Sequence, residues 1–194
     1  MRKANYDKFP STKLTGMLVQ GWDSIISMLK KKMDARKVLA VDLYTGVYEE
    51  EVLDAFSKEF SGRVMNVRDL MKPEKEIQTL TEDVLFGYVT NLKLEDYLDA
   101  DKVAAARKQI SEAKETIVII GTGAAVVAPQ DAMVVYADMA RWEIQQRFRR
   151  HEVKALGIDN RNDAVSLQYK RGYFNDWRVC DRYKERLFDR VEFW

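Results

Sequence analysis

Asp69 stands in Asn-Val-Arg-Asp-Leu, just after a short apolar run. If that run is a strand opening on a cleft, its carboxylate is placed to act as general base toward a sugar hydroxyl; it equally suits a cap for the segment that follows. Arg147, Arg149 and Arg150 fall together in RFRR, and planar guanidinium forks at that spacing match phosphate oxygens. The plainer role for them is a solvated helix end that complements the helix dipole. Arg141 comes one helical turn before Gln145, so both would face a cleft or flank Trp142 as polar positions. Gly121-Thr122-Gly123 offers backbone amides to an anion, although a lone GxG is a weak signal. Thr45 and Gly46 lie in the turn Asp42 to Tyr48 (DLYTGVY), where a nucleotide-binding strand-turn-helix would hold a phosphate. The phosphate chemistry is missing from that turn: it has one glycine and no lysine, and Thr45 precedes the place a lysine would take. Glu49, Glu50 and Glu51 then open the helix, each favourable to its dipole by about 0.3–1 kcal/mol when exposed and each repelling a phosphate. The turn is expected to be structural.

These residues need a sheet with helices around it. Val38 to Val41 is a continuous apolar run that suits a strand buried on both faces, and Val52, Leu53, Phe56 and Phe60 follow at helical spacing. A helix is expected from about Gly21 to Met33, a short strand at Arg63 to Val67, a helix after Pro73 (EKEIQTLTEDV), and short pieces between Leu85 and Asp101. Ala100 to Ala113 reads as a helix with Val103, Ala106 and Ile110 on one face, leading to Thr116 to Ile120, a β-branched central strand. Met133 to Ala137 is another strand, and Asp138 is expected to begin a helix ending in Arg147, Arg149, Arg150 and His151. The tail should hold a strand or turn near Leu167 to Phe174 and a helix from about Asp176. Its aromatic end, through Phe193 and Trp194, either packs back or meets a following domain.

Composition limits the partners. With 32 basic and 31 acidic residues among 194, the net charge of +1 gives no general pull toward nucleic acid or anionic membrane. One cysteine (Cys180) and one histidine (His151) leave no disulfide framework and no ordinary His/Cys metal site, so no cofactor is expected in this chain. No apolar run approaches a membrane span, and a reducing, cytoplasmic setting fits.

The order of elements from Lys37 to His151 resembles the uridine kinase and phosphoribulokinase group of phosphate-loop kinases. That resemblance implies a three-layer α/β fold with a mainly parallel sheet and a degenerate phosphate loop. It also implies Asp69 as catalytic base and Arg147, Arg149 and Arg150 as lid arginines. A second likeness lies in whole phrases. NYDKFPSTKLTG, YADMARWEIQQRFRR and KRGYFNDWRVCDRYKERLFDRVEFW resemble the amino-terminal domain that precedes a cupin in certain bacterial proteins named as class I mannose-6-phosphate isomerases. It implies a following cupin domain as partner and a sugar phosphate or nucleotide as ligand. The expected organisation is an arm and helix (1–36), a kinase-like core (37–155) and a C-terminal extension (156–194). Three functions follow as expectations: a non-catalytic module binding through the arginines, an active phosphotransferase with an unusual loop, or a structural or dimerisation domain.

Overall fold

In the computed structural model, which describes residues 7, 10–13, 15–82 and 87–194, the apolar run becomes strand β1, Val38–Leu43, with all six residues buried. Burial on both faces follows from its place at the centre of a sheet. On one side β1 pairs in parallel with β3 (Ile117–Gly121), Val38 opposite Ile117 and Asp42 opposite Gly121. On the other it pairs with β4 (Met133–Ala137), Leu39 opposite Met133 and Leu43 opposite Ala137. Strand β2 (Arg63–Asn66) flanks β3, and β5 (Val191–Phe193) flanks β4, so the order is β2-β3-β1-β4-β5 with every pairing parallel.

The two-residue period of the strands divides the core. Leu39, Val41, Leu43, Val118, Ile120 and Met133 pack with Ile26, Leu29 and Met33 of α1 (Trp22–Met33) and with Val52 and Phe56 of α2 (Glu49–Glu59). Val38, Ala40, Ile117, Ile119, Val134 and Tyr136 form the other cluster with α4 (Ala100–Glu112), the short α5 (Ala124–Val127), α6 (Arg141–Arg149) and α8 (Trp177–Glu185). Helices on both faces of a parallel sheet give the expected three-layer α/β architecture.

Several local expectations need correction. β1 runs on through Asp42 and Leu43, which the sequence places in the turn. Asp138 does not begin α6; it lies three residues before it and accepts from the Met139 amide at 2.9 Å. Leu167 to Phe174 is neither strand nor turn. Helix α7 (Val165–Arg171) continues through a π-helical turn (Gly172–Asp176) into α8. Tyr169, Tyr173 and Trp177 recur every four residues and pack on one another, so the aromatics mark a helix face rather than a pleat. Helix α3 spans Glu74–Leu80, and the expected continuation to Asp83 and Val84, like Leu85 and Phe86, lies outside the described residues. No described helix is long and apolar enough to cross a membrane.

Candidate functional site

The loop after β1 closes on the protein itself. The Tyr44 amide donates to Ala137 O at 2.9 Å and the Val47 amide to Tyr44 O at 3.2 Å. Arg147 reaches in from α6, donates through Nη1 to Gly46 O at 2.8 Å and lies 3.6 Å from the Tyr48 ring. Gly46 has φ 91°, and a Cβ there would come within 2.8 Å of Ile144 Cγ1. Its glycine therefore lets the loop press on α6 and adopt a backbone that L side chains disfavour.

Asp42, at the carboxyl end of β1, is fully buried and accepts three hydrogen bonds: from the Gly123 amide at 3.1 Å, the Ala125 amide at 2.9 Å and the Tyr183 hydroxyl at 2.5 Å. Burial pushes its carboxyl up to about 6, against the pull of Tyr183 and the two amides. Of the turn Gly121-Thr122-Gly123, the Gly123 amide is therefore spent on the chain's own carboxylate, together with the Ala125 amide that follows. An acid ending an otherwise apolar, six-residue buried strand is the signal that sequence reasoning passed over.

Outside this plug lies a cleft of about 90 Å³ at the carboxyl ends of β1 and β3, where open α/β sheets carry ligands. Thr45, Gly46, Gly121 and Thr122 line it, and Gly123 sits directly behind, on Asp42. Three cations that the sequence did not single out complete the wall: Arg68, Lys154 and Arg161. Each is held by a carboxylate. Arg68 Nε lies 3.1 Å from Glu49 Oε2, Lys154 Nζ 2.9 Å from Glu50 Oε1, and Arg161 Nη2 2.6 Å from Asp159 Oδ2. The Lys154 bond lowers the Glu50 carboxyl below its usual range, and Arg161 holds Asp159 down to about 2. Two of the acids that open α2 therefore neutralise Arg68 and Lys154, and the third, Glu51, accepts from Trp22 Nε1 at 2.9 Å.

The remaining expected site residues lie elsewhere. Asp69 is exposed and outside the cleft lining, and the turn it stands in is capped by Asn66, whose Oδ1 accepts from the Arg68 amide at 2.8 Å. Arg149 donates to Gln146 Oε1 at 3.1 Å and packs near Trp142. Arg150 is held by Glu143 at 3.1 Å and Glu152 at 2.9 Å. Arg141 pairs with Asp181, which also accepts from the Tyr44 hydroxyl at 2.7 Å. Arg147 and Arg150 converge on one atom, Glu143 Oε1, at 3.1 Å each, so those two guanidiniums are held by an internal carboxylate while Arg149 turns to Gln146. Among the described residues no group of three or more His, Cys, Asp or Glu side chains is placed to hold a metal ion.

No curated protein matches this chain. Over residues 21–194 the chain matches the family described as "Domain of unknown function (DUF8485)", and it belongs to that family.

Proposed function

We propose that this chain is a non-catalytic, kinase-like module that takes the phosphate of a small ligand, such as a sugar phosphate, into the cleft lined by Arg68, Lys154 and Arg161. The observation that carries this reading is the pairing of Arg68 and Lys154 with Glu49 and Glu50. Carboxylates stand at the helix opening where a phosphate would be favoured by the dipole and the free amides. The closed loop argues against ATP: its Tyr44 and Val47 amides are bonded to Ala137 O and Tyr44 O, and Arg147 holds it shut through Gly46 O. A cleft of about 90 Å³ is also well short of the roughly 300 Å³ at which drug-sized ligand sites begin. It has room for a phosphate group and its waters, with the rest of the ligand outside. The element order and parallel sheet support kinship with the uridine kinase and phosphoribulokinase group. The phrase likeness supports a cupin domain as the partner in a longer protein and mannose 6-phosphate as the first ligand to try.

Calorimetric titration with inorganic phosphate, mannose 6-phosphate and ATP tests the reading. Mannose 6-phosphate should bind, Arg68→Ala and Lys154→Ala should each weaken it at least fivefold, Arg149→Ala should leave it unchanged, and no phosphoryl transfer from ATP should occur. ATP turnover with a nucleoside or sugar that Asp69→Asn abolishes would overturn it in favour of an active phosphotransferase. Absence of binding by all three ligands would leave a structural or dimerisation domain.

A further inference from the structure

A negative charge stands directly behind the cleft. Gly121 and Thr122 line the cleft, and the next amide, that of Gly123, donates to Asp42 Oδ1 at 3.1 Å. That nitrogen is joined covalently to the Thr122 carbonyl carbon, so the carboxylate lies one peptide unit behind the surface a ligand would touch. Along its own strand Asp42 is followed at once by Leu43, Tyr44 and Thr45, which also line the cleft. One buried side chain therefore backs both loops.

Among the described residues no cation bonds to it. Its three donors, the Gly123 and Ala125 amides and the Tyr183 hydroxyl, are neutral, and at 0% exposure it has no water to screen it. The groups that face it are Tyr183 and Cys180 of α8, Tyr136 of β4 and Arg190, which lies between α8 and β5. Arg190 is the one cation among them, and its guanidinium is spent on the carbonyls of Ala125 at 3.1 Å and Pro129 at 3.4 Å.

Between low-dielectric walls such a charge acts across several ångströms on an incoming anion. An anion in the cleft raises the proton affinity of the carboxylate, and by reciprocity a proton on the carboxylate raises the affinity for the anion. The fold can take that proton without losing contacts. Tyr183 is the one partner that accepts as well as donates, so it can share a proton on Oδ2 while both amides keep their oxygens. Burial already raises the carboxyl to about 6, so the exchange falls just below neutral pH. Taking the cleft as the anion site proposed above, we infer that it takes up an anion and a proton together, and that the proton goes to Asp42.

Sulfate is the probe, because it stays a dianion across the range, and the whole chain is used. Calorimetry in buffers of different ionisation enthalpy counts the protons taken up. For a roughly tenfold coupling, about half a proton per sulfate is expected near pH 6.5, with affinity rising about fivefold from pH 7.5 to pH 5. Asp42→Asn should bind sulfate at pH 7.5 about as tightly as the native chain does at pH 5, with almost no proton uptake. The native chain gives an answer that does not depend on the folding of that variant. Its Gly123 and Ala125 amide NMR shifts should titrate together near pH 6, and saturating sulfate should move their midpoint up by about one pH unit. Sulfate binding without proton uptake, equal uptake by Asp42→Asn, or an amide midpoint that sulfate does not move would each overturn the linkage and leave the anion site standing. No sulfate binding at any pH would remove the anion site, and the linkage with it.

Discussion

At the carboxyl end of the sheet Arg68, Lys154 and Arg161 meet Glu49, Glu50 and Asp159 at 2.6–3.1 Å around about 90 Å³. At the amino end Lys32, Asp34, Lys37, Glu115 and Asp131 stand exposed around a groove of about 900 Å³ floored by Val38, Ile110, Ile117 and Val127. The first end is plugged from within: Asp42 takes the amides behind the cleft, and α2 supplies counter-ions to the cations in front of it. A ligand there has to displace a carboxylate. Partly exposed ion pairs contribute only about 0.2–1 kcal/mol each, so a phosphate bridging two cations is a realistic competitor. At the second end nothing has to be displaced, and rigidity comes from Arg36 and Arg107 bonded to backbone carbonyls.

Removing the plug should produce the largest effect. Asp42→Ala leaves the Gly123 and Ala125 amides and the Tyr183 hydroxyl buried without an acceptor. At about 1–3 kcal/mol for each orphaned group, with some repair by water, urea unfolding should show a loss of about 3–5 kcal/mol. The groove variant Lys32→Glu, Lys37→Glu should stay within about 0.5 kcal/mol of the native chain. Equal losses would erase the distinction between a plugged and an open end.

Asp42→Asn separates the charge from the shape. A carboxyl raised to about 6 binds more protons folded than unfolded between its ordinary value near 4 and 6. Its contribution to stability therefore rises as pH falls through 6 and levels off below about 4. The groups facing it are Tyr183 and Cys180 of α8, Tyr136 of β4 and the Arg190 guanidinium. Neither tyrosine nor the cysteine titrates in that window, since burial raises all three. Relative to Asp42→Asn, the native chain should gain on the order of 3 kcal/mol between pH 7.5 and pH 4. A flat difference in unfolding free energy would mean that Asp42 is ionised throughout.

Arg147 ranks next. Arg147→Ala removes a charged donor to Gly46 O and the stacking on Tyr48, an expected loss of about 2–3 kcal/mol. Arg147→Lys should recover less than half, because an ammonium cannot stack flat and reach the carbonyl together. Full rescue by lysine would show that charge alone closes the loop.

What the sequence disclosed follows from which interactions are local. Strands β1 and β3 are buried on both faces and β4 mostly so, all three read as apolar runs, and α4 carries its own Asp99 cap and apolar stripe. Strand β5 has three residues, Val-Glu-Phe, half exposed, and exists only by pairing with β4, so no local pattern announces it. In the site the loop residues Thr45, Gly46, Gly121 and Thr122 were legible, because the carboxyl edge of a parallel sheet gathers its loops by topology. Lys154 and Arg161 were not, because they sit in the unperiodic connection between α6 and α7 and are brought to the cleft only by tertiary packing. Arg68 was overlooked beside its more suggestive neighbour, Asp69.

The smallest structural perturbation is the sharpest probe of the plugged end. Glu49→Gln with Glu50→Gln keeps the shape of the α2 opening and frees Arg68 and Lys154. Stability should fall by about 1–2 kcal/mol, since two partly exposed ion pairs and two carboxylates favourable to the helix dipole are lost. Affinity for inorganic phosphate should rise about three- to tenfold at low salt, and the gain should shrink in about 0.5 M NaCl as screening weakens every cation in the cleft. Phosphate affinity that does not move would mean the two acids are not competing with a ligand, and the cleft's cations would then serve only to hold α2 in place.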